Sequence, residues 1–206
     1  DANGLLPKLQ SGFRRHHSTE SALLRVLSDL FSSVDSGRIS LLALLDVSAA
    51  FDTVDHAILL NRLSISFGIT GSAFDWMRSF VVGRTQTVHY CGSISQCSVV
   101  RSGVAQGSVL GPLLYVLYTA DIQKLVESLG FGVHLYADDT QFHGSCAVSE
   151  AAGLASRAVR VVNEIKNWMS SNRLRLNADK TQVIWQGTGL FVGMRGTQAI
   201  NTILSS

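Results

Sequence analysis

Hydrophobic residues recur along this chain with two different periods, and each period predicts a different kind of element. Helical spacing of apolar residues predicts helices over residues 19–35, 55–67, 72–82, 109–127 and 149–171. Shorter apolar or alternating runs predict a strand over residues 39–45, hairpins over 84–100 and 131–143, and two short strands within 174–184. In the third helix, the pattern predicts four core side chains, Phe74, Trp76, Met77 and Phe80. This order of elements indicates an α+β fold.

Acidic residues interrupt two of the apolar runs. Asp138 and Asp139 lie at the predicted tip of the hairpin 131–143, and Asp46 closes the strand 39–45, which is predicted to be buried on both faces. An Asp-Asp turn alone is commonly a solvated loop. A carboxylate at the end of a buried strand, however, is costly unless something compensates it. If the strand end meets the hairpin tip, three carboxylates crowd together, and oxygen ligands of this kind suit Mg²⁺.

The segment Tyr136-Ala137-Asp138-Asp139 resembles the catalytic motif of reverse transcriptases. Four further blocks resemble those of non-LTR (LINE-type) retrotransposons, in the same order: QSGFRRHHSTESAL from Gln10, LLDVSAAFDTVDH from Leu44, SGVAQGSVLGPLLY from Ser102 and NRLRLNADKTQVI from Asn172. Together they extend over residues 10–185, and five blocks in order make a chance match very improbable.

The resemblance implies a polymerase palm with part of the fingers, built as a small antiparallel sheet backed by helices. It places a fingers-side segment and helix in residues 1–38, and the palm with a finger-side hairpin in 39–188. Residues 189–206 match nothing in the family pattern. No counterpart of the family's thumb or of its upstream triphosphate-binding arginine segment is recognisable, which predicts a fragment or a decayed copy.

The same resemblance assigns roles to individual residues. It makes Asp46 and Asp138 the principal metal ligands, supported by Asp139 and by the carbonyl of Val47, with Mg²⁺ as the cofactor and Mn²⁺ as the alternative ion. The implied nucleotide-binding residues are Ala50, Phe51, Gln106, Gly107 and Lys180. The implied nucleic-acid-binding residues are Arg14 and Tyr136.

Ordinary structural roles compete with several of these assignments. Phe51, five residues after Asp46, would exclude a 2′ hydroxyl in the family arrangement, but without the motif an ordinary core phenylalanine is the preferred interpretation. Lys180 could be a surface lysine rather than a proton donor to pyrophosphate. Arg14 lies in a basic cluster that could be a solvated helix entrance. Asp55 is predicted to be a helix cap.

Composition narrows the function classes. With 46% hydrophobic and 16% charged residues the chain is globular rather than disordered, and no apolar run approaches a membrane span. The three cysteines are expected to be reduced, and their spacing does not favour a zinc site. We therefore expect a chain that is not secreted, in the cytoplasm, the nucleus or both, with its oligomeric state left open.

The sequence predicts an RNA-directed DNA polymerase domain acting on an RNA template, a DNA primer and dNTPs. Two alternatives remain: a nucleic-acid-binding remnant without turnover, and an RNA-dependent RNA polymerase, against which Phe51 argues.

Overall fold

The described chain contains both helices and strands, several of them in consecutive groups of one kind. The computed structural model describes residues 5–187 and 190–195. In chain order the elements are α1 (Thr19–Asp35), β1 (Ile39–Val47), α2 (His56–Ile65), α3 (Gly71–Val81), β2 (Thr85–Gln86), β3 (His89–Tyr90), β4 (Ser93–Ile94), β5 (Ser98–Val99), α4 (Leu110–Tyr118), α5 (Asp121–Ser128), β6 (Gly132–Tyr136), β7 (Asp139–Cys146), a 3₁₀ turn (Val148–Glu150), α6 (Ala151–Ser171), β8 (Leu176–Gly187) and β9 (Leu190–Arg195). The chain divides into two compact units, residues 1–48 with 119–206, and residues 49–118.

The first unit is organised around a five-stranded sheet in the order β6-β7-β1-β8-β9, in which all neighbouring strands are antiparallel. β1 is the middle strand, with Ile39 opposite Cys146 of β7 and Ser40 opposite Gln186 of β8. A strand paired on both sides and packed against helices favours an apolar sequence, as β1 has. The predicted α+β class and small antiparallel sheet are confirmed.

Helices lie on both faces of this sheet. His143 of β7 directs its Nε2 atom to Asp29 of α1, at 3.3 Å from Oδ2. At the next residue, Gly144, a Cβ atom would lie 3.2 Å from Leu154 of α6. Because successive residues of a strand face opposite sides, α1 and α6 pack on opposite faces. The α6 face is the better buried, with Leu41, Ala43 and Phe142 fully inaccessible.

Two predictions about β-structure need correction. The strand now called β1 is not buried on both faces, because Leu42, Leu44 and Asp46 are only half-buried. Residues 174–184 do not form two short strands: residues 176–184 belong to one strand, β8, which pairs with β1 on both sides of an irregularity. The hydrogen bonds to β1 hold the two halves of β8 in one sheet.

The second unit is a helical cluster with an exposed hairpin. Its core contains Val54, Leu59, Leu63 and Leu114, all at 0% exposure, and α2 packs against α3 and α4. Asp55 caps α2, as predicted, with its Oδ1 atom accepting from the backbone amides of Ala57 and Ile58 in the first turn, at 2.9 and 3.0 Å. The predicted hairpin over 84–100 is confirmed as two short ladders, β2 with β5 and β3 with β4.

The helix predictions hold with two exceptions. The helix predicted over 109–127 is two helices, α4 and α5, separated at Thr119 and Ala120, where the chain passes from the second unit to the first. None of the four predicted core side chains of α3 is fully buried: Trp76 is 59% exposed and Phe74, Met77 and Phe80 are half-buried, whereas Val81 is the buried residue. The spacing of apolar residues shows which face of a helix is apolar, but not how much of that face the neighbouring elements cover.

Among the described residues, no helix has both the length and the hydropathy needed to cross a membrane. The three cysteines are free thiols, with Cys91 and Cys97 exposed and Cys146 buried.

Candidate active site

Asp46 and Asp139 come together at one edge of the five-stranded sheet. This edge is formed by the ends of β1 and β7 and not by an outer strand. The antiparallel register of β1 and β7 runs from Ile39 opposite Cys146 to Leu45 opposite Thr140. One further step of the same register places Asp46 opposite Asp139. Directly opposed residues of antiparallel strands project from the same face, so both carboxylates lie on the face that α1 covers further along the sheet.

Asp138 occupies the turn that joins β6 to β7. The hairpin closes with Tyr136 opposite Asp139, leaving Ala137 and Asp138 as a two-residue loop. Ala137 has a left-handed backbone with φ of +56°, which costs a non-glycine residue roughly 1–2 kcal/mol. The predicted convergence of the strand end and the hairpin tip is therefore the arrangement in the structure.

The electrostatics of this edge show that the carboxylates interact. The pKa of Asp139 is raised, first by loss of hydration and then by the negative charges of Asp138 and Asp46, while Lys180 opposes the shift. Asp139 is nevertheless solvent-exposed. The edge also borders a cavity of about 400 Å³, whose charged lining residues are Asp46, Asp139, Asp179 and Lys180. A cation or a cationic complex would relieve this repulsion.

Lys180 reaches Asp46 because β8 is irregular at this point. Leu44 of β1 is opposite Gln182, whereas Asp46 is opposite Asn177, so residues 178–181 of β8 are accommodated beside the single residue Leu45. The hydroxyl of the fully buried Thr181 donates to the carbonyl of Asn177 at 2.9 Å across the bulge. Bulges commonly redirect side chains near active sites, and this one carries Lys180.

Two side chains of β8 contact the Asp46 carboxylate. Asn177 Nδ2 donates to Asp46 Oδ2 at 2.8 Å, and Lys180 Nζ lies 3.8 Å from the same oxygen. Lys180 is 70% exposed, whereas the Asp46 side chain is 22% exposed. The exposed ion pair contributes little to stability, but it places an ammonium group at the edge of the acidic cavity. Asn177 was absent from the predicted site residues.

Sequence reasoning also missed the side chain that holds the hairpin tip. Gln10 is 1% exposed, and its amide contacts both polar backbone groups of Ala137. The Q-S-G block pointed to this segment only through its family resemblance, and a buried glutamine leaves no periodic signal in a sequence.

The remaining predicted residues of the first unit are near the sheet edge or the loop before it. Val47 is the last residue of β1, opposite Leu176 of β8, and Tyr136 is the last residue of β6. Arg14 is half-buried, and its Nη1 atom donates to the carbonyls of the loop 7–10 at 3.0 to 3.4 Å. Arg14 thus supports this loop, while contact with nucleic acid stays a prediction.

The second unit contains the four predicted nucleotide-binding residues other than Lys180. Phe51 is half-buried and stacks on Tyr115 of α4, with ring centroids 4.9 Å apart and an interplanar angle of 29°. Ala50 is buried, and Gln106 and Gly107 form the turn that precedes α4. The stacking fixes the orientation of Phe51 but does not distinguish a sugar-contacting ring from a core ring.

A cavity of about 540 Å³ in the second unit is lined by Gln106 and by two arginines, Arg84 and Arg101. Asp52, for which the sequence offered no role, lines it as well. Guanidinium groups favour phosphate oxygens, so this cavity could accept a phosphate-bearing ligand. Neither arginine was predicted as a site residue: Arg84 is the first residue of the predicted hairpin and Arg101 directly follows it.

The acidic edge fits a hard divalent cation in its donor chemistry. Across the part of the chain that the structure describes, no three His, Cys, Asp or Glu residues form a ready-made metal cage. Mg²⁺ in phosphoryl-transfer sites is usually held by one or two carboxylates together with substrate phosphates and water, rather than by protein alone. The oxygen-only, mutually repelling carboxylates at this open edge match that kind of site.

Comparison with known proteins identifies relatives over nearly the whole chain. The model of the family described as reverse transcriptase (RNA-dependent DNA polymerase) matches residues 2–195. The probable RNA-directed DNA polymerase from transposon X-element of Drosophila melanogaster is 34% identical over 173 residues, covering 82% of this chain and 19% of the relative. The RNA-directed DNA polymerase from mobile element jockey of Drosophila funebris is 31% identical over 182 residues, covering 85% of this chain and 19% of the relative. The chain thus spans about a fifth of the length of these relatives.

Solved structures share the fold. Apo telomerase from Candida tropicalis, truncated from the C-terminal domain, superposes with a TM-score of 0.66 at 16% identity, covering 93% of this chain and 40% of that one. Telomerase from Candida albicans, in complex with the TWJ fragment of telomeric RNA, gives a TM-score of 0.61 at 16% identity, with 93% and 35% covered. At this identity the likeness concerns the fold alone.

Proposed function

Because the chain belongs to the reverse transcriptase (RNA-dependent DNA polymerase) family, we propose that it is the polymerase region of a non-LTR retrotransposon protein. In this role it adds dNTPs to the 3′ hydroxyl of a DNA primer, directed by an RNA template. The observation that carries the proposal is that Asp46 meets Asp138, in the turn, and Asp139, at the start of β7, at one open sheet edge.

Nucleotidyl transfer depends mainly on positioning and on neutralising charge. We infer that Asp46, Asp138 and Asp139 hold Mg²⁺, or Mn²⁺ in its place, with the carbonyl of Val47 as a further ligand. A divalent ion bound there would lower the pKa of the attacking hydroxyl and stabilise the pyrophosphate leaving group. The protein's part is to orient the carboxylates, and Asn177 orients that of Asp46 through a hydrogen bond of 2.8 Å.

Lys180 is the proposed proton donor to the leaving pyrophosphate. Its ammonium group lies 3.8 Å from Asp46 Oδ2 and lines the cavity that the carboxylates border. A proton donor must be within reach of the group it protonates, and a 70% exposed lysine can turn from Asp46 towards an incoming phosphate.

The second unit supplies the proposed nucleotide contacts. Phe51, held by Tyr115, would exclude a 2′ hydroxyl, with Ala50, Gln106 and Gly107 beside the incoming nucleotide. Arg84 and Arg101 would bind phosphate groups in the cavity that Gln106 also lines. In the first unit, Tyr136 and Arg14 are the proposed contacts to template or primer.

Primer extension on an RNA template tests the proposal directly. The full-length protein carrying this chain should incorporate dNTPs only when Mg²⁺ or Mn²⁺ is present. Asp138→Asn should reduce the rate by at least about a hundredfold, because a lost metal ligand removes charge stabilisation from the transition state. Asp75→Asn, in α3, is the matched control for loss of one exposed carboxylate. Binding of template–primer without any metal-dependent extension would identify the chain as an inactive remnant.

A further inference from the structure

We propose that Gln10 and Gly12 are positioning residues for Asp138, acting through the backbone of Ala137. The inference rests on the proposed function, since it assigns the two residues a task in that reaction. It concerns a contact between two segments separated by more than half of the chain, within the first unit.

The side-chain amide of Gln10 grips Ala137 at two points. Its Nε2 atom donates to the Ala137 carbonyl at 3.1 Å, and its Oε1 atom accepts from the Ala137 amide at 2.9 Å. The same oxygen accepts from the amide of Gly12 at 2.7 Å. Gln10 is 1% exposed, so these bonds do not compete with bulk water. The side-chain amide of Gln10 thus bonds the N–H and C=O of Ala137 as the backbone of a neighbouring strand would.

The two hydrogen bonds from Gln10 are made to the residue of the hairpin that has a strained backbone. Ala137 is the first residue of the two-residue loop and has a φ of +56°, a conformation for which such loops favour glycine. Bonding both its amide and its carbonyl restricts rotation about the peptide groups on either side. The peptide group that carries the Ala137 carbonyl leads directly into Asp138, so restricting it restricts the direction of the Asp138 side chain.

Gly12 makes this close approach geometrically accessible. A Cβ atom at position 12 would lie 2.1 Å from the Ala137 nitrogen and 2.7 Å from its Cα atom. Both are backbone atoms of the turn, which could move away only by displacing Asp138. Residue 12 must therefore be glycine for the turn to keep its present position.

The segment Leu9–Gly12 is hydrogen-bonded to the sheet as well as to the turn. The amide of Ser11 donates to the carbonyl of Leu135 at 2.8 Å, and the amide of Leu135 donates to the carbonyl of Leu9 at 2.9 Å. Gln10 thereby forms a parallel bridge with Leu135 of β6. The loop, the strand β6 and the turn are joined in one hydrogen-bonded network, and Asp138 directly follows the last residue that this network holds.

The test combines amide exchange with steady-state kinetics in the full-length protein. Gln10→Ala should speed hydrogen exchange at Ala137 on the order of fivefold or more, since it removes the acceptor of that amide. It should also lower kcat for dNTP incorporation by about ten- to a hundredfold while the KM for dNTP stays nearly constant, because misdirecting Asp138 affects the reaction rather than nucleotide binding.

Two further variants separate positioning from general destabilisation. Gln10→Met keeps much of the side-chain volume but makes none of these hydrogen bonds, so its kcat should fall as that of Gln10→Ala does. Gly12→Ala should lower kcat as Gln10→Ala does. Ser11→Ala is the matched control, since Ser11 is also buried and its hydrogen bond to Leu135 is made by its backbone.

An unchanged kcat in Gln10→Ala, with an active parent, would overturn the positioning role and leave the proposed polymerase function intact. Equal loss of kcat in Ser11→Ala would also overturn it, because the loss would then reflect packing of the loop. An inactive parent would refute the proposed function, and with it the positioning role.

Discussion

Single residues at the sheet edge are held in arrangements that cost the metal-free fold some stability. Asp139 lies opposite Asp46 and next to Asp138, and its raised pKa reflects lost hydration and this crowding of like charge. Ala137, one residue earlier, has a left-handed backbone. Strained and repelling groups of this kind are typical of functional sites, where the surrounding structure maintains them.

Replacing one of the repelling carboxylates should therefore stabilise the metal-free protein. For Asp139→Asn we expect a thermal unfolding midpoint higher by about 1–2 °C, because the substitution removes a charge repelled by Asp46 and Asp138. Mg²⁺ should raise the midpoint of the parent more than that of the variant. Asp75→Asn, which removes a carboxylate from α3, should leave both measurements unchanged. A midpoint for Asp139→Asn below that of the parent would show that the repulsion does not limit stability.

Phe51 provides a second test at the residue scale. Phe51→Val should raise ribonucleotide incorporation relative to deoxynucleotide incorporation by about tenfold or more, since a smaller side chain no longer collides with a 2′ hydroxyl. The measurement is the ratio of kcat/KM values for a matched dNTP and NTP. Phe74→Val, at a half-buried phenylalanine of α3 in the same unit, is the control for lost aromatic packing. If both variants keep the parental ratio, Phe51 serves the core instead.

At the scale of elements, α1 covers one end of the sheet and buries histidines there. His134 of β6 is 3% exposed, and neither of its ring nitrogens has a hydrogen-bond partner. Its pKa is lowered by burial first, and then by Arg25, His143 and His17, with Asp29 opposing them. Burial likewise lowers the pKa of His143, against the favourable effect of Asp29.

These pKa shifts predict a loss of stability in acid. Below about pH 6.5 histidines of the unfolded chain bind protons while the buried ones stay neutral, so the unfolded state binds more protons and the free energy of unfolding falls as the pH falls. Thermal unfolding at several pH values between about 5 and 7.5 should show this slope. His134→Leu should flatten it, whereas His89→Ala, at an exposed histidine of β3, should not. An equal slope in His134→Leu and the parent would contradict the prediction.

Much of the element order follows from sequence periodicity, because helix spacing and strand alternation are local properties. α1 with its Ser18 cap, β1 and the hairpin of β6 and β7 are where the pattern predicts them. The continuity of β8 could not be predicted, since it depends on hydrogen bonds to a strand far away in the sequence. For the same reason the three aspartates were predictable as a set, whereas the contacts of Gln10 and Asn177 were not.

At the scale of the whole molecule, charge is nearly balanced, with 17 Lys and Arg against 15 Asp and Glu. A net charge of +2 gives little general attraction for nucleic acid. Binding of a template–primer must then depend on where the basic residues lie rather than on how many there are. Arg84 and Arg101, which share a cavity with Gln106, are two arginines that the proposed function places against phosphates, in addition to the proposed nucleic-acid contact Arg14.

Salt dependence distinguishes the placement of charge from its total. Substituting both Arg84 and Arg101 by glutamine should make the slope of log affinity against log salt less negative by roughly 1–2, as two phosphate contacts are lost. Substituting Arg157 and Arg160, which are exposed on α6, changes the net charge equally and should leave the slope unchanged. Equal effects of the two pairs would mean that total charge governs binding.

The central place of β1 in the sheet has a consequence for how the chain is made. Its partner strands are synthesised late, because Ile39 pairs with Cys146 and Leu41 pairs with Trp185. At ribosomal rates of about 5–20 residues per second, the first of these partners is delayed by roughly 5–20 s. During that interval the apolar strand Ile39–Val47 has neither neighbour, and unpaired apolar strands are prone to aggregate. The nascent chain is therefore most prone to aggregation during this interval, and a chaperone that binds extended apolar segments should increase its yield.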